Sequence, residues 1–101
     1  MTASTPAPNE PVDRVAAAVR AVPGVADLHP GTFGEVGTYL PGRRVPGIRI
    51  DDGAVQVHIC VVFGASVRDT AAAVRAATAA QLPEATVIDV TVEDVIRDQP
   101  R

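Results

Sequence analysis

The sequence contains no lysine and few aromatic residues. All nine basic residues of the 101-residue chain are arginine, and aromatic residues make up 3% of it. Hydrophobic residues still account for 47% of the chain, so we expect a core of small aliphatic side chains, mainly valine and alanine. We interpret the exclusive use of arginine first as a genomic composition bias, and second as a role for guanidinium chemistry.

Further absences argue against several classes of protein. There is no run of about 18 apolar residues, so we expect no membrane-spanning helix and no direct membrane insertion. The N-terminal stretch lacks both a basic segment and an apolar run, which is not typical of a secretory signal. A single cysteine excludes an internal disulfide and fits a reducing compartment. The net charge of −3 disfavours nucleic acid as a partner.

The stretch 48–63 predicts a β-hairpin around which the rest of the chain is arranged. Asp52-Gly53 separates two alternating segments, and this dipeptide favours the primed turns of hairpins, since glycine adopts positive φ cheaply. From Val55 to Phe63, alternate residues are apolar, as in a strand with one buried face. That strand spans about ten residues, so we expect it to be central and paired on both edges.

Two amphipathic helices are predicted on either side of the hairpin. Residues 10–22 have valines at helical spacing, with Asn9 as N-cap. Residues 64–82 form an alanine-rich helix capped by Ser66, with an apolar stripe that begins at Val67. Both segments end at a proline, which stops a helix.

Two more strands complete the predicted order. Residues 25–29 indicate a short first strand. Residues 86–93 alternate again and predict a last strand that returns beside the long one through a helix crossover, with fraying from Asp94 onward. The result is an α+β two-layer sandwich, with two helices on one face of a mostly antiparallel sheet of three to five strands.

The chain is predicted to hold one domain with short tails. We assign residues 10–95 to the domain, residues 1–9 to a disordered N-terminal tail and residues 96–101 to a C-terminal tail. Within the domain, the stretch 31–47 is glycine-rich and long for a connection, which is often a sign of function. The alternatives are a crossover that covers the sheet edge, or an edge strand from Glu35 to Tyr39.

No set of residues predicts a reaction. His58 and Cys60 lie two apart on one strand face and could begin a metal site with His29, but a complete site needs three or four ligands. No base is paired convincingly with a nucleophile. We therefore expect a non-enzymatic protein without metal or cofactor, in which His58 and Cys60 belong to a half-exposed sheet face.

The surfaces offered to a partner are more informative. The sheet face away from the helices is flat and mixed, and the glycine-rich stretch carries an aromatic ring and two adjacent arginines. The candidate partner-binding residues are Tyr39, Arg43, Arg44, Arg49, Gln56 and His58. The alternative is a regulatory module that binds a small ligand or an anion through Arg43 and Arg44 in the 31–47 loop.

Five segments, in this order and spacing, resemble the alkaline-shock-protein family of envelope stress response proteins. They are VPGV (22–25), TYLPGRRVPGIRI (38–50), DGAVQVHICVVFG (52–64), SVRDTAAAVRAA (66–77) and VIDVTVEDV (87–95). The resemblance implies a cytoplasmic, non-enzymatic role in envelope homeostasis. It also implies that the partner is a second copy of the chain or a small integral membrane protein that holds it at the inner face of the membrane.

Overall fold

The computed structural model describes residues 10–97. The predicted tail 1–9, the Asn9 cap and residues 98–101 lie outside this range. The elements follow in the order α1 (Pro11–Arg20), β1 (Val25–Leu28), β2 (Gly37–Leu40), β3 (Arg43–Pro46), β4 (Ile48–Asp51), β5 (Ala54–Val62), α2 (Val67–Gln81) and β6 (Val87–Ile96).

Strand β5 is the centre of the main sheet, as its length predicts. One edge of β5 is shared by two antiparallel neighbours, with β4 beside its first half and β1 beside its second. The other edge pairs in parallel with β6 along the whole strand. The predicted return of the last strand beside the long one is thereby confirmed.

The turn between β4 and β5 has the backbone that its sequence predicts. Asp52 has a φ of 52° and Gly53 a φ of 87°. Positive φ at both central residues is the requirement of a type I′ turn, whose twist matches that of the flanking strands. The turn thus sets the register that pairs Ile48 with Val57 and Ile50 with Val55.

Both helices pack on one face of the main sheet, so the predicted fold class is confirmed. Helix α1 begins with a proline, which is tolerated because the first amide of a helix has no intrahelical acceptor. Alternate residues of β5 meet the buried side chains of both helices. The shared core includes Val12, Val15, Val19, Val55, Val57, Ile59, Val61, Val74 and Leu82.

Helix α2 keeps its predicted cap but not the whole predicted stripe. The Ser66 hydroxyl accepts a hydrogen bond from the Asp69 amide at 3.2 Å. Val67, however, is 43% exposed and does not belong to the core cluster. The buried face is completed by Thr78, whose hydroxyl donates to the Val74 carbonyl at 2.8 Å and so loses little on burial.

The glycine-rich stretch is a second small sheet instead of an irregular crossover. Strands β2 and β3 pair antiparallel from Leu40–Arg43 to Gly37–Pro46 across a two-residue turn. The predicted edge strand from Glu35 to Tyr39 begins two residues and ends one residue before β2, and its pairing with β3 was not predicted. Pro41-Gly42 supplies this turn, with Gly42 at a φ of 75°.

Strand β6 continues three residues beyond its predicted end. It runs to Ile96, where fraying was predicted from Asp94 onward. The register against β5 shifts between Ile59 and Cys60, and Glu93 is the extra residue of the resulting bulge. This insertion breaks the period-two alternation after Val92, which explains why the pattern was interpreted as the end of the strand.

Gly47 joins the two sheets at a point where no side chain fits. Its amide donates to the Val36 carbonyl at 2.9 Å, and its carbonyl accepts from the His58 amide at 2.8 Å. Its φ is +85°, and an added Cβ would lie 2.8 Å from Leu28 Cβ and 3.0 Å from the His29 nitrogen. Glycine is therefore required here twice, by the backbone conformation and by the space.

We expect Gly47→Ala to destabilise the domain by about 3 kcal/mol or more, because it adds a backbone clash to the cost of positive φ. Gly42→Ala is the matched control. It has a similar φ but nothing within 4 Å of the added Cβ, so we expect a loss of about 1 kcal/mol. Equilibrium urea denaturation measures both. Equal losses would show that crowding at Gly47 is unimportant.

Candidate functional site

The structure places the six candidate partner-binding residues in two separate locations. The first group lies on the small sheet and comprises Tyr39 on β2 with Arg43 and Arg44 on β3. The second group lies on the main sheet, on the side opposite the helices, and comprises Arg49 on β4 with Gln56 and His58 on β5.

Arg43 is held by an acid on helix α1. Its two terminal nitrogens donate to the two carboxylate oxygens of Asp13 at 2.8 and 2.7 Å. The Asp13 side chain is only 11% exposed. These hydrogen bonds are the main reason that the pKa of Asp13 lies below its usual value, and the charge of Arg43 adds to the effect. Asp13 is therefore ionised across the neutral range.

Arg44 points in a different direction from Arg43, because neighbouring residues of a strand face opposite sides. One terminal nitrogen donates to the Gly34 carbonyl at 2.5 Å. The guanidinium lies 5.2 Å from the centre of the Tyr39 ring, and its buried Nε has no hydrogen-bond partner. The two arginines are thus held by different partners, Arg43 by Asp13 and Arg44 by the Gly34 carbonyl and the Tyr39 ring.

The side of β5 and β6 opposite the helices forms a surface that we call the outer face. By the strand register it consists of Ala54, Gln56, His58, Cys60 and Val62 on β5, with Val87, Asp89, Thr91, Glu93, Asp94 and Ile96 on β6. It is polar and acidic in the middle. At both ends it is apolar, since Val87 is 49% exposed and Ile96 is 41% exposed.

His58 forms a hydrogen bond with Glu93 in the middle of the outer face. Its Nδ1 lies 2.5 Å from a carboxylate oxygen of Glu93, and the two side chains are 15% and 18% exposed. Glu93 is the bulge residue of β6, and a bulge redirects a side chain in this way. Thus the bulge gives His58 a partner that strict alternation would not have provided.

Cys60 is buried, in contrast to the half-exposed position that was predicted. Burial raises the pKa of its thiol, and the charges of Asp94, Asp27 and Glu93 add to the effect. His29, the residue that could have joined His58 and Cys60 in a metal site, accepts a hydrogen bond at Nδ1 from the Gly31 amide at 2.9 Å. Within residues 10–97, no three His, Cys, Asp or Glu side chains are arranged to hold a metal ion.

Known proteins match this chain in fold and not in sequence. No protein-family model and no curated protein matches it. Among solved structures, a Met-to-Leu variant of the MamM C-terminal domain aligns with a TM-score of 0.55 at 18% identity, over 83% of this chain and 92% of that chain. A His-to-Ala variant of that domain aligns with a TM-score of 0.55 at 15% identity, over 92% of this chain and 100% of that chain. The copper form of the MamM C-terminal domain aligns with a TM-score of 0.52 at 16% identity, over 88% of this chain and 84% of that chain.

These comparisons correct the resemblance to the alkaline-shock-protein family. The solved structures described above are MamM C-terminal domains, and no family model supports the expected assignment. The envelope-stress role that the resemblance implied is therefore unsupported. At such low identities the likeness to MamM establishes the fold alone.

No helix within residues 10–97 has the length and hydrophobicity needed to cross a bilayer.

Three partners of the candidate residues were not foreseen from the sequence. Glu93 lies beside His58, and Asp13 binds Arg43 across 30 positions of chain. Arg20 on α1 lines a cleft with Arg43. One of the three left a signal, since the interval from Val92 to Val95 breaks the alternation where the bulge occurs. The other two depend on long-range packing.

We expect the Cys60 thiol to be inert in the folded protein. A raised pKa keeps the thiol protonated to higher pH, and the thiolate is the nucleophile. At pH 8, alkylation by iodoacetamide should be at least about tenfold slower in the native protein than in urea-unfolded protein. Mass spectrometry of quenched samples measures both rates. Comparable rates would show that Cys60 is accessible and not suppressed by its surroundings.

Proposed function

We propose that this domain is a non-catalytic protein-interaction module that pairs with a second copy of itself through the outer face. The observation that carries the proposal is the distribution of side chains on that face, with exposed apolar residues at both ends of a polar centre. An arrangement of this kind can be complementary to itself.

The parallel pairing of β5 and β6 determines which residues lie at each end. Ala54 and Val87 are register partners at one end, and Val62 and Ile96 at the other. A two-fold axis that lies in the interface, parallel to the face and perpendicular to the strands, stacks the two faces and reverses the strand direction in the second copy. The Val87 end of one copy then meets the Ile96 end of the other twice, which is an isologous contact.

The polar centre can be covered at low cost. His58 and Glu93 already satisfy one another, so an interface that covers them leaves few polar groups without a partner. Gln56 and Thr91 are exposed beside them and supply hydrogen bonds across the interface. Asp89 and Asp94 of the two copies would repel one another, and salt weakens this repulsion.

The non-catalytic part of the proposal is supported by the state of the side chains. The ring of His58 is bound to Glu93, and the nearby Cys60 is buried with a raised thiol pKa. Cys60 is therefore a poor nucleophile, so the His58–Glu93 pair has no reactive thiol beside it to activate. Solved structures of the MamM domain include a copper form and a nickel form. We do not propose metal binding by a single copy of this chain, since its described residues lack a set of three ligands.

A second copy is favoured over a membrane-anchored partner as the occupant of this face. Recruitment to a membrane was implied by the family resemblance alone, and that resemblance is corrected above. The arrangement of apolar residues at both ends of a polar centre is a property of the outer face itself. A membrane partner would need neither this symmetry nor the parallel register that produces it.

Ile96→Asp should disrupt the pairing without unfolding the domain. Each dimer loses two apolar contacts worth about 1–2 kcal/mol each, so the dissociation constant should rise about 30-fold or more. Val67→Asp is the control, because Val67 has similar exposure, 43% against 41%, but lies in the first turn of α2, where an acid is favoured. Sedimentation equilibrium measures both variants. A monomeric parent protein, or equal effects of the two variants, would contradict the proposal.

Raising the salt concentration from 50 to 500 mM should strengthen the pairing, because like acidic charges face one another while apolar ends drive association. A complex with a basic partner would respond in the opposite way. Sedimentation of the parent protein at the two salt concentrations decides between them, since weakening of self-association at high salt would contradict the proposed arrangement.

A further inference from the structure

A second surface lies on the helix side of the molecule, away from the outer face. It is a cleft of about 340 Å³ between α1 and β3. The side of α1 contributes residues spaced three or four apart, which form one stripe of a helix, and β3 contributes all four of its residues. The lining consists of Asp13, Ala16, Ala17, Arg20, Arg43, Arg44, Val45 and Pro46.

The cleft has an arginine near each end of its helical wall. Arg43 is fixed at the Asp13 end by its paired hydrogen bonds. Arg20 lies seven residues further along α1, which corresponds to about 10 Å along the helix axis. Arg44 also lines the cleft, but its guanidinium donates to the Gly34 carbonyl and lies against the Tyr39 ring. Arg20 and Arg43 are therefore the cations at the two ends.

Both end arginines retain donors for a ligand. Asp13 occupies two of the roughly five N–H groups of Arg43 and fixes its orientation, which favours bidentate recognition. Arg20 contacts Asp27 at 3.3 Å, and the two side chains are 51% and 64% exposed. A surface pair of this kind contributes little to stability, so an incoming anion can replace Asp27 at small cost.

The middle of the cleft is lined by small apolar side chains. Ala16 and Ala17 on the helix wall are too short to reach across, and Val45 and Pro46 form the opposite wall. The cleft therefore suits a ligand with an anionic group at each end and an aliphatic segment between them.

We infer that the cleft binds a small linear aliphatic dicarboxylate, with one carboxylate on Arg20 and the other on Arg43. If the two guanidinium groups keep the axial spacing of about 10 Å between positions 13 and 20, a hydrogen bond of about 2.8 Å at each end leaves about 5 Å between the carboxylates. Glutarate has about this length. Its two carboxylates match the arginines at the two ends, and its methylene groups lie against Ala16, Ala17 and Val45.

The test is a titration of the full chain with glutarate at constant ionic strength, followed by calorimetry and thermal unfolding. We expect saturable binding with a dissociation constant on the order of 1 mM. At ten times that concentration the unfolding temperature should rise by roughly 5 to 10 °C. Butyrate, which lacks the second carboxylate, should bind at least about tenfold more weakly.

Arg20→Gln should abolish binding, because it removes the cation at one end, and its exposed position makes unfolding an unlikely source of the loss. Arg68→Gln is the matched control, since Arg68 is an exposed arginine on α2, and it should bind like the parent. Equal binding of glutarate and butyrate would overturn the inference, as would retention of binding in Arg20→Gln or its equal loss in Arg68→Gln. Absence of saturable binding to the parent protein would also overturn it.

Discussion

The backbone hydrogen bonds around Gly47 and His58 connect every strand of the first half of the chain to β5. The amide of Gly47 donates to the carbonyl of Val36, which directly precedes β2, and the carbonyl of Gly47 accepts from the amide of His58. The carbonyl of His58 in turn accepts from the amide of His29. A chain of three backbone bonds thus links the small sheet, the central strand and the end of β1. Because a buried unpaired amide is costly, the loss of one bond strains the others.

This connection determines where the two surfaces lie. The small sheet is held close to α1, so that Arg43 reaches Asp13 and the cleft forms between them. The outer face lies on the opposite side of the main sheet. Positive charge is consequently gathered at the cleft and negative charge on β6, although the net charge of the chain is only −3.

Local patterns were enough to predict the main elements of the fold. The hairpin of β4 and β5 was marked by Asp52-Gly53 and by alternation, and α2 by its Ser66 cap and apolar spacing. These signals lie within a few residues of the structure they specify. They also placed Gln56 and His58 on the correct face of the sheet.

Features that depend on distant residues were not predictable from one sequence. The partner of Arg43 is 30 positions away and that of His58 is 35 positions away. The strands β2 and β3 are four residues each, too short for alternation to distinguish them from a loop. The family assignment failed for another reason, because short shared segments of common residues do not establish descent.

The parallel pairing of β5 with β6 has a consequence for synthesis on the ribosome. His58 and its partner Glu93 are 35 residues apart, and α2 must cross between the two strands before they can pair. During vectorial synthesis the most apolar strand therefore waits with one edge unpaired until β6 emerges, at about 5–20 residues per second. An unpaired apolar edge is a site of aggregation, so this interval of a few seconds is when the nascent chain most needs protection by a chaperone.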